Sequence, residues 1–211
     1  MKKDYTHVTF VLDRSGSMAS VWKDVEGGYS EIIKQQQEEK GECTFTLVTF
    51  DGQYETPVDM QFIDKVSPKL DVGPRGSTAL MDALGKSITE LGEQLRNLDE
   101  SQRPEKVLFI VQTDGGENSS REWTKESVKD LIKQQENDYS WQFLFLGANP
   151  EAMANAQNLG LNVNNVSSYA SADSMASMVN AKFSQTRSMS LEDYKKGAIA
   201  FSEEEREALK K

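Results

Sequence analysis

The 211 residues include one cysteine, one histidine and five prolines. A lone Cys43 excludes an intramolecular disulfide and any zinc site built on clustered cysteines. A lone His7 excludes a His-rich metal centre and argues against a histidine-centred triad. Positive charge is in deficit: 24 Lys and Arg stand against 34 Asp and Glu, a net charge of −10. That balance argues against nucleic acid or an anionic membrane surface as the main partner. No run approaches the roughly 18 apolar residues a membrane helix needs. The five apolar-leaning residues from Val8 to Leu12 are too few for a secretory signal. The implied protein is soluble and cytoplasmic, with chemistry that must run on Asp, Glu, Ser and Thr. Its apolar share of 37%, with 14 glycines, suffices for one core, so residues 1–211 are expected to form a single domain.

Two patterns alternate along the chain. Short β-prone runs occur at Val8–Leu12, Cys43–Phe50, Val107–Val111 and Trp141–Leu146. All but the second are nearly continuous in hydrophobicity, as in strands buried on both faces of a parallel sheet. Between them, Ser20–Glu39, Thr78–Leu98 and Thr124–Gln135 carry apolar residues at three-to-four spacing, which predicts amphipathic helices. Strand–helix alternation implies a three-layer, doubly wound α/β fold with a mostly parallel sheet of about six strands. Asp51-Gly52 between β-prone residues predicts a hairpin, and Pro57 suits an edge position, so one antiparallel edge strand is expected within Tyr54–Val66. Further on, the spacing predicts a helix over Pro150–Leu159 ending at Gly160, a weak strand at Val163–Val166 and a helix over Ala170–Phe183. Ser202 with Glu205 predicts a capping box opening a terminal helix through Leu209. The stretch Gln35–Lys40 reads as a solvated helix end, His7 as a strand-edge residue, and Cys43 and Trp22 as core.

The strongest local signal is Asp13-Arg14-Ser15-Gly16-Ser17, which places three oxygen-bearing side chains at alternate positions directly after the first strand. Gly73-Pro-Arg-Gly-Ser-Thr78 opens the second long helix, and Thr113-Asp114-Gly-Gly follows the Val107–Val111 strand. In a doubly wound sheet the loops at the carboxyl ends of the strands gather at one edge, and ligands bind there. Asp13, Ser15, Ser17, Thr78 and Asp114 can therefore converge. Two carboxylates and three hydroxyls form an all-oxygen donor set, which suits a hard divalent cation such as Mg²⁺.

These residues resemble the von Willebrand factor A family and its metal-ion-dependent adhesion site: D-x-S-x-S, a Thr in a second loop and an Asp in a third. The resemblance spans about residues 5–185 by element order, with 186–211 as a C-terminal helical extension. It implies that Asp13, Ser15, Ser17, Thr78 and Asp114 hold Mg²⁺, with Mn²⁺ or Ca²⁺ as alternatives. It further implies that an open coordination position takes an Asp or Glu carboxylate of a protein partner, without bond breaking.

Three rivals stand beside that reading. An Asp-nucleophile phosphohydrolase using Asp13 would need a second acid two residues on, where Ser15 stands. A nucleotide-binding module would need a phosphate loop, and neither G-x-G-x-x-G nor G-x-x-x-x-G-K-[ST] occurs. A scaffold with a purely structural metal would use the same ligands. Arg14, Arg75 and Arg121 flank the three motifs, which raises the expectation of a positive rim that steers an acidic partner. Trp123, after the third motif loop, reads as a staple of the next helix in preference to a rim contact.

Overall fold

The computed structural model describes the chain except Gly115, Ala148, Asn149, Gly160, Asn162, Ala170, Ala198, Lys210 and Lys211. Its elements, in chain order, are β1 (Lys2–Asp13), α1 (Trp22–Glu38), β2 (Glu42–Phe50), β3 (Tyr54–Phe62), α2 (Leu80–Asn97), β4 (Pro104–Thr113), α3 (Lys125–Tyr139), β5 (Gln142–Gly147), α4 (Pro150–Asn158), β6 (Val166–Ser168), α5 (Ala172–Ser188), α6 (Leu191–Lys195) and α7 (Glu203–Leu209). The six-stranded sheet runs β3-β2-β1-β4-β5-β6. Every pairing is parallel except β2 with β3, the hairpin across Asp51-Gly52. The expected α/β architecture with one antiparallel edge is therefore present.

Because β-strand side chains alternate between faces, each central strand feeds two cores. Val8, Phe10 and Leu12 of β1, with Phe45, Leu47, Leu108 and Ile110, pack under α1, α5 and α7. Val11, Val48, Phe109 and Val111 pack under α2, α3 and α4. The helices present the predicted stripes: Trp22, Val25, Tyr29, Ile32 and Ile33 in α1, and Leu80, Leu84, Ile88, Leu91 and Leu95 in α2.

Several expectations shift. The weak strand begins later than Val163: residues Val163–Asn165 form a 3-10 turn, and β6 starts at Val166. The predicted helix end at Gly160 and start at Ala170 fall outside the described residues. Gln36 and Gln37 are not a solvated end. Gln36 is fully buried and donates to Ser184 Oγ (2.9 Å), and Gln37 donates to the carbonyls of Ile63 and Val66. His7 lies inside β1 between β2 and β4, with no exposed surface, and is not an edge residue. Cys43 and Trp22 are buried as expected. The Ser202–Glu205 capping box is formed in both directions, at 2.8 and 3.1 Å.

Two cations, the buried Lys106 and the half-buried Arg187, close the end of the sheet where the strands begin. Lys106, 1% exposed, donates to the carbonyls of Thr186, Arg187 and Met189 at the end of α5. Arg187 in turn donates to the carbonyls of Gln36, Glu39, Lys40 and Gly41 at the end of α1. Each satisfies carbonyls that a helix terminus leaves without partners, and each places positive charge at the negative end of a helix dipole. Beside them the Tyr194 hydroxyl donates to the Val107 carbonyl (2.5 Å) and accepts from the Val107 amide (3.0 Å).

Candidate metal site

At β1 the chain reverses its direction of travel across the sheet: β2 lies on one side and β4 on the other. A crevice at the carboxyl ends of such neighbouring strands is where open α/β sheets bind ligands. Asp13 ends β1, opposite Phe50 of β2, and Leu12 pairs with Gln112 of β4. The first motif therefore leaves the sheet beside the start of the third.

Asp13 is fully buried. One carboxylate oxygen accepts from the Ser15 amide (2.7 Å) and the other from the Thr113 hydroxyl (2.6 Å). Burial raises its pKa, the Thr113 and Ser15 hydrogen bonds oppose that, and the nearby Asp114 charge adds to the rise. The buried Asp13 thus feels the negative charge of the half-buried Asp114, a repulsion that a divalent cation would relieve. Ser15 is buried and Ser17 exposed, and their hydroxyl oxygens lie 3.0 Å apart in the 3-10 turn Gly16–Ser20. No serine caps α1, whose first helical residue follows Val21, a residue with no side-chain capping bond.

The second loop is tied to the first by the backbone. The Gly16 amide donates to the Gly76 carbonyl (3.1 Å), and the Arg75 amide to the Arg14 carbonyl (2.7 Å). Gly76 has φ +70°, a left-handed conformation that favours glycine, while a Cβ there would meet the Asp51 side chain only at an ordinary 3.5 Å. Thr78 is buried; its amide donates to Asn118 Oδ1 (2.9 Å), and its carbonyl accepts from the Asn118 amide (3.0 Å). The second loop is in this way bound to the third. Beyond Asp114, Glu117 accepts from the amides of Ser119, Ser120 and Met81, and Asp82 from those of Arg121, Glu122 and Trp123. The Trp123 ring covers Gly85 so closely that a Cβ there would fall 2.1 Å from it. Trp123 is thus a staple, but the helix it covers is the preceding α2 and not, as expected, the helix that follows it.

All five predicted positions lie on three mutually bonded loops at one edge of the sheet. The donor set fits a hard divalent ion in its chemistry, being all oxygen with two carboxylates. Among the described residues there is no group of three or more His, Cys, Asp or Glu suited to a metal, so the three hydroxyls are indispensable to that fit.

The expected positive rim is not present as such. Arg14 is 3% exposed and directs its guanidinium at Asp51 (3.2 Å) and Glu55 (2.9 Å). Arg75 pairs with the same two carboxylates at 2.6 and 2.7 Å. Both are spent on joining the first and second loops to the β2–β3 hairpin, and Asp51 lies at the junction of all three. Arg121 remains on the surface. Asn118 was not singled out in the sequence, and Asp51 and Thr113 stood there only as a turn residue and as part of the third motif, with no sign that they would meet Arg14 and Asp13.

No family model matches the sequence, and no curated protein is similar to it. Solved structures do match. A proximal thread matrix protein from the mussel byssus is 19% identical, with a TM-score of 0.59, over 87% of this chain and 46% of that one. The von Willebrand factor type A structure from Catenulispora acidiphila is 15% identical, with a TM-score of 0.59, over 87% of this chain and 42% of that one. The fold is that of a von Willebrand factor type A domain. The manganese-loaded TRAP protein of Plasmodium vivax is 14% identical, with a TM-score of 0.56, over 84% and 72% of the two chains. The chain spans less than half the length of the first two neighbours. Among the described residues no helix is long and apolar enough to cross a membrane.

Proposed function

We propose that the protein is a metal-ion-dependent protein-binding module. In this reading Asp13, Ser15, Ser17, Thr78 and Asp114 hold one Mg²⁺, or Mn²⁺ or Ca²⁺ in its place, and the ion takes an Asp or Glu carboxylate from a partner protein. The observation that carries the reading is the backbone bonding of the three motif loops into one carboxyl-edge site around the buried Asp13. The two carboxylates offset the ion's charge. The hydroxyls are neutral donors and leave it able to attract a third carboxylate. The type A fold of the neighbours, one of them solved with manganese, supports the same reading.

The event is binding without bond breaking, so no catalytic residue is assigned. Ser15, where a phosphohydrolase would keep its second acid, lies 3.0 Å from the Ser17 hydroxyl and cannot serve as a general acid at neutral pH. Titration calorimetry with Mg²⁺ tests the site, and capture on an immobilised Glu-containing peptide library, with and without EDTA, tests its use. Asp13→Ala and Asp114→Ala are expected to abolish both signals. Unchanged Mg²⁺ binding in those variants, or EDTA-insensitive capture that survives them, would refute the reading.

A further inference from the structure

Near the three motif loops there is a polar pair that no part of the proposed metal site uses. Gln112, the penultimate residue of β4, is fully buried. Its Nε2 donates to the Tyr169 hydroxyl at 3.2 Å, and its Oε1 has no hydrogen-bond partner among the described residues. Reversing the amide would not help, because one of its two polar ends would still be left over. An orphaned buried amide atom costs on the order of 1–3 kcal/mol, so its persistence calls for a group that satisfies it.

The position of the pair indicates which group. Gln112 lies opposite Leu12, one residue before Asp13, and two residues before Asp114. Tyr169 continues the line of β6, its amide donating to the Gly147 carbonyl (3.3 Å), which brings it to the same carboxyl edge from the far side. Its ring packs against the core beneath α1 and α5. The hydroxyl oxygen already accepts from Gln112, so its own proton is available to an acceptor.

We propose that Gln112 and Tyr169 are positioning residues of the metal site, forming a fourth wall that orients a metal-bound water and the Asp114 carboxylate. The division of roles follows from donor and acceptor capacity. Water on a cation has its lone pair engaged and can only donate, and the orphaned Gln112 Oε1 can only accept. The Tyr169 O–H donates, and Asp114 accepts. The Gln112–Tyr169 hydrogen bond fixes both roles at once. Partners of this kind orient metal ligands, and their loss typically weakens metal affinity by about 10- to 100-fold.

The inference rests on the metal-site reading, and the experiment separates the two. Mg²⁺ affinity is measured by titration calorimetry, and melting temperature is measured in EDTA, for wild type, Tyr169→Phe, Gln112→Leu, the double variant and Asp114→Ala. The expected result is Mg²⁺ binding at least about tenfold weaker in each single variant, with melting in EDTA held or raised in Gln112→Leu and in the double variant, where no orphaned amide atom is left, and lowered in Tyr169→Phe, which takes the acceptor from Gln112 Nε2. The double variant should lose little more than either single one, since both act through one hydrogen bond. Wild-type affinity in Tyr169→Phe or Gln112→Leu, alongside abolished binding in Asp114→Ala, would overturn the inference alone. Undiminished binding in Asp114→Ala would overturn the metal site itself. A fall in affinity matched by a fall in EDTA melting temperature in Gln112→Leu would assign the pair a structural role instead. Should Gln112→Leu not fold, Gln112→Met, of similar length and without the amide, takes its place and is read the same way.

Discussion

Mild acid should destabilise the protein through His7. The imidazole is fully buried in β1, with Nδ1 2.9 Å from the Thr44 hydroxyl and Nε2 3.1 Å from that of Thr9. Burial lowers its pKa to about 3, against about 6.5 in an unfolded chain. The unfolded state therefore binds the extra proton between those values, and the folded state does not. Stability must rise with pH across that window and fall as pH drops below about 6.5. Between pH 7 and pH 5 the difference in bound protons integrates to about 1.4 pH units, or about 2 kcal/mol at 1.36 kcal/mol per unit. His7→Gln retains hydrogen-bonding groups and removes the titration. Urea unfolding of both proteins in EDTA, at the two pH values, isolates the effect because every other group titrates alike in the pair. Wild type should lose about 2 kcal/mol more than the variant. Parallel losses would show that His7 is protonated in the folded state and that its surroundings are wet.

Three other perturbations follow from the geometry. Gly85→Ala places a methyl within the Trp123 ring and should cost about 1–3 kcal/mol by overpacking, with a shift of Trp fluorescence as the loop lifts from α2. Arg187→Met removes one cation from four carbonyl partners and should destabilise by about 2–3 kcal/mol in urea titrations; because the acceptors are backbone groups at a helix end, 0.5 M salt should restore little of it. Asp51→Asn removes the charge that faces both Arg14 and Arg75, and is expected to weaken Mg²⁺ binding measured by calorimetry. Unaltered Mg²⁺ affinity there would show that the hairpin does not set the geometry of the first two loops.

Most of the sheet was legible because its central strands are buried on both faces and so must be apolar throughout. The hairpin was legible from Asp51-Gly52, since few other pairs suit so tight a turn. Asp13, Ser15 and Ser17 stood out as candidates because alternate spacing after a strand is a local pattern. What escaped was long-range and polar. Nothing around Lys106 announces that its charge will be enclosed by the end of α5, 80 or more residues later. The cationic residues between the motifs suggested a rim because a sequence shows charge but not direction, and Arg14 turns inward to Asp51. Gln36 was missed because glutamines in a run look alike until one of them meets α5. Tyr169 sits after a three-residue strand, too short to have a period, so its arrival at the metal edge could be seen only in three dimensions.

The lysine–arginine arrangement at the end of the sheet remote from the motif loops bears on how the chain can be shortened. Trimming after residue 185 would strip Lys106 of every carbonyl it serves, uncover the Val107 peptide group that Tyr194 occupies, and release the last turn of α1. A tail that seems dispensable beside the motifs thus acts as the keel of the molecule, and protease nicking near Ser188 should loosen α1 and β4 together.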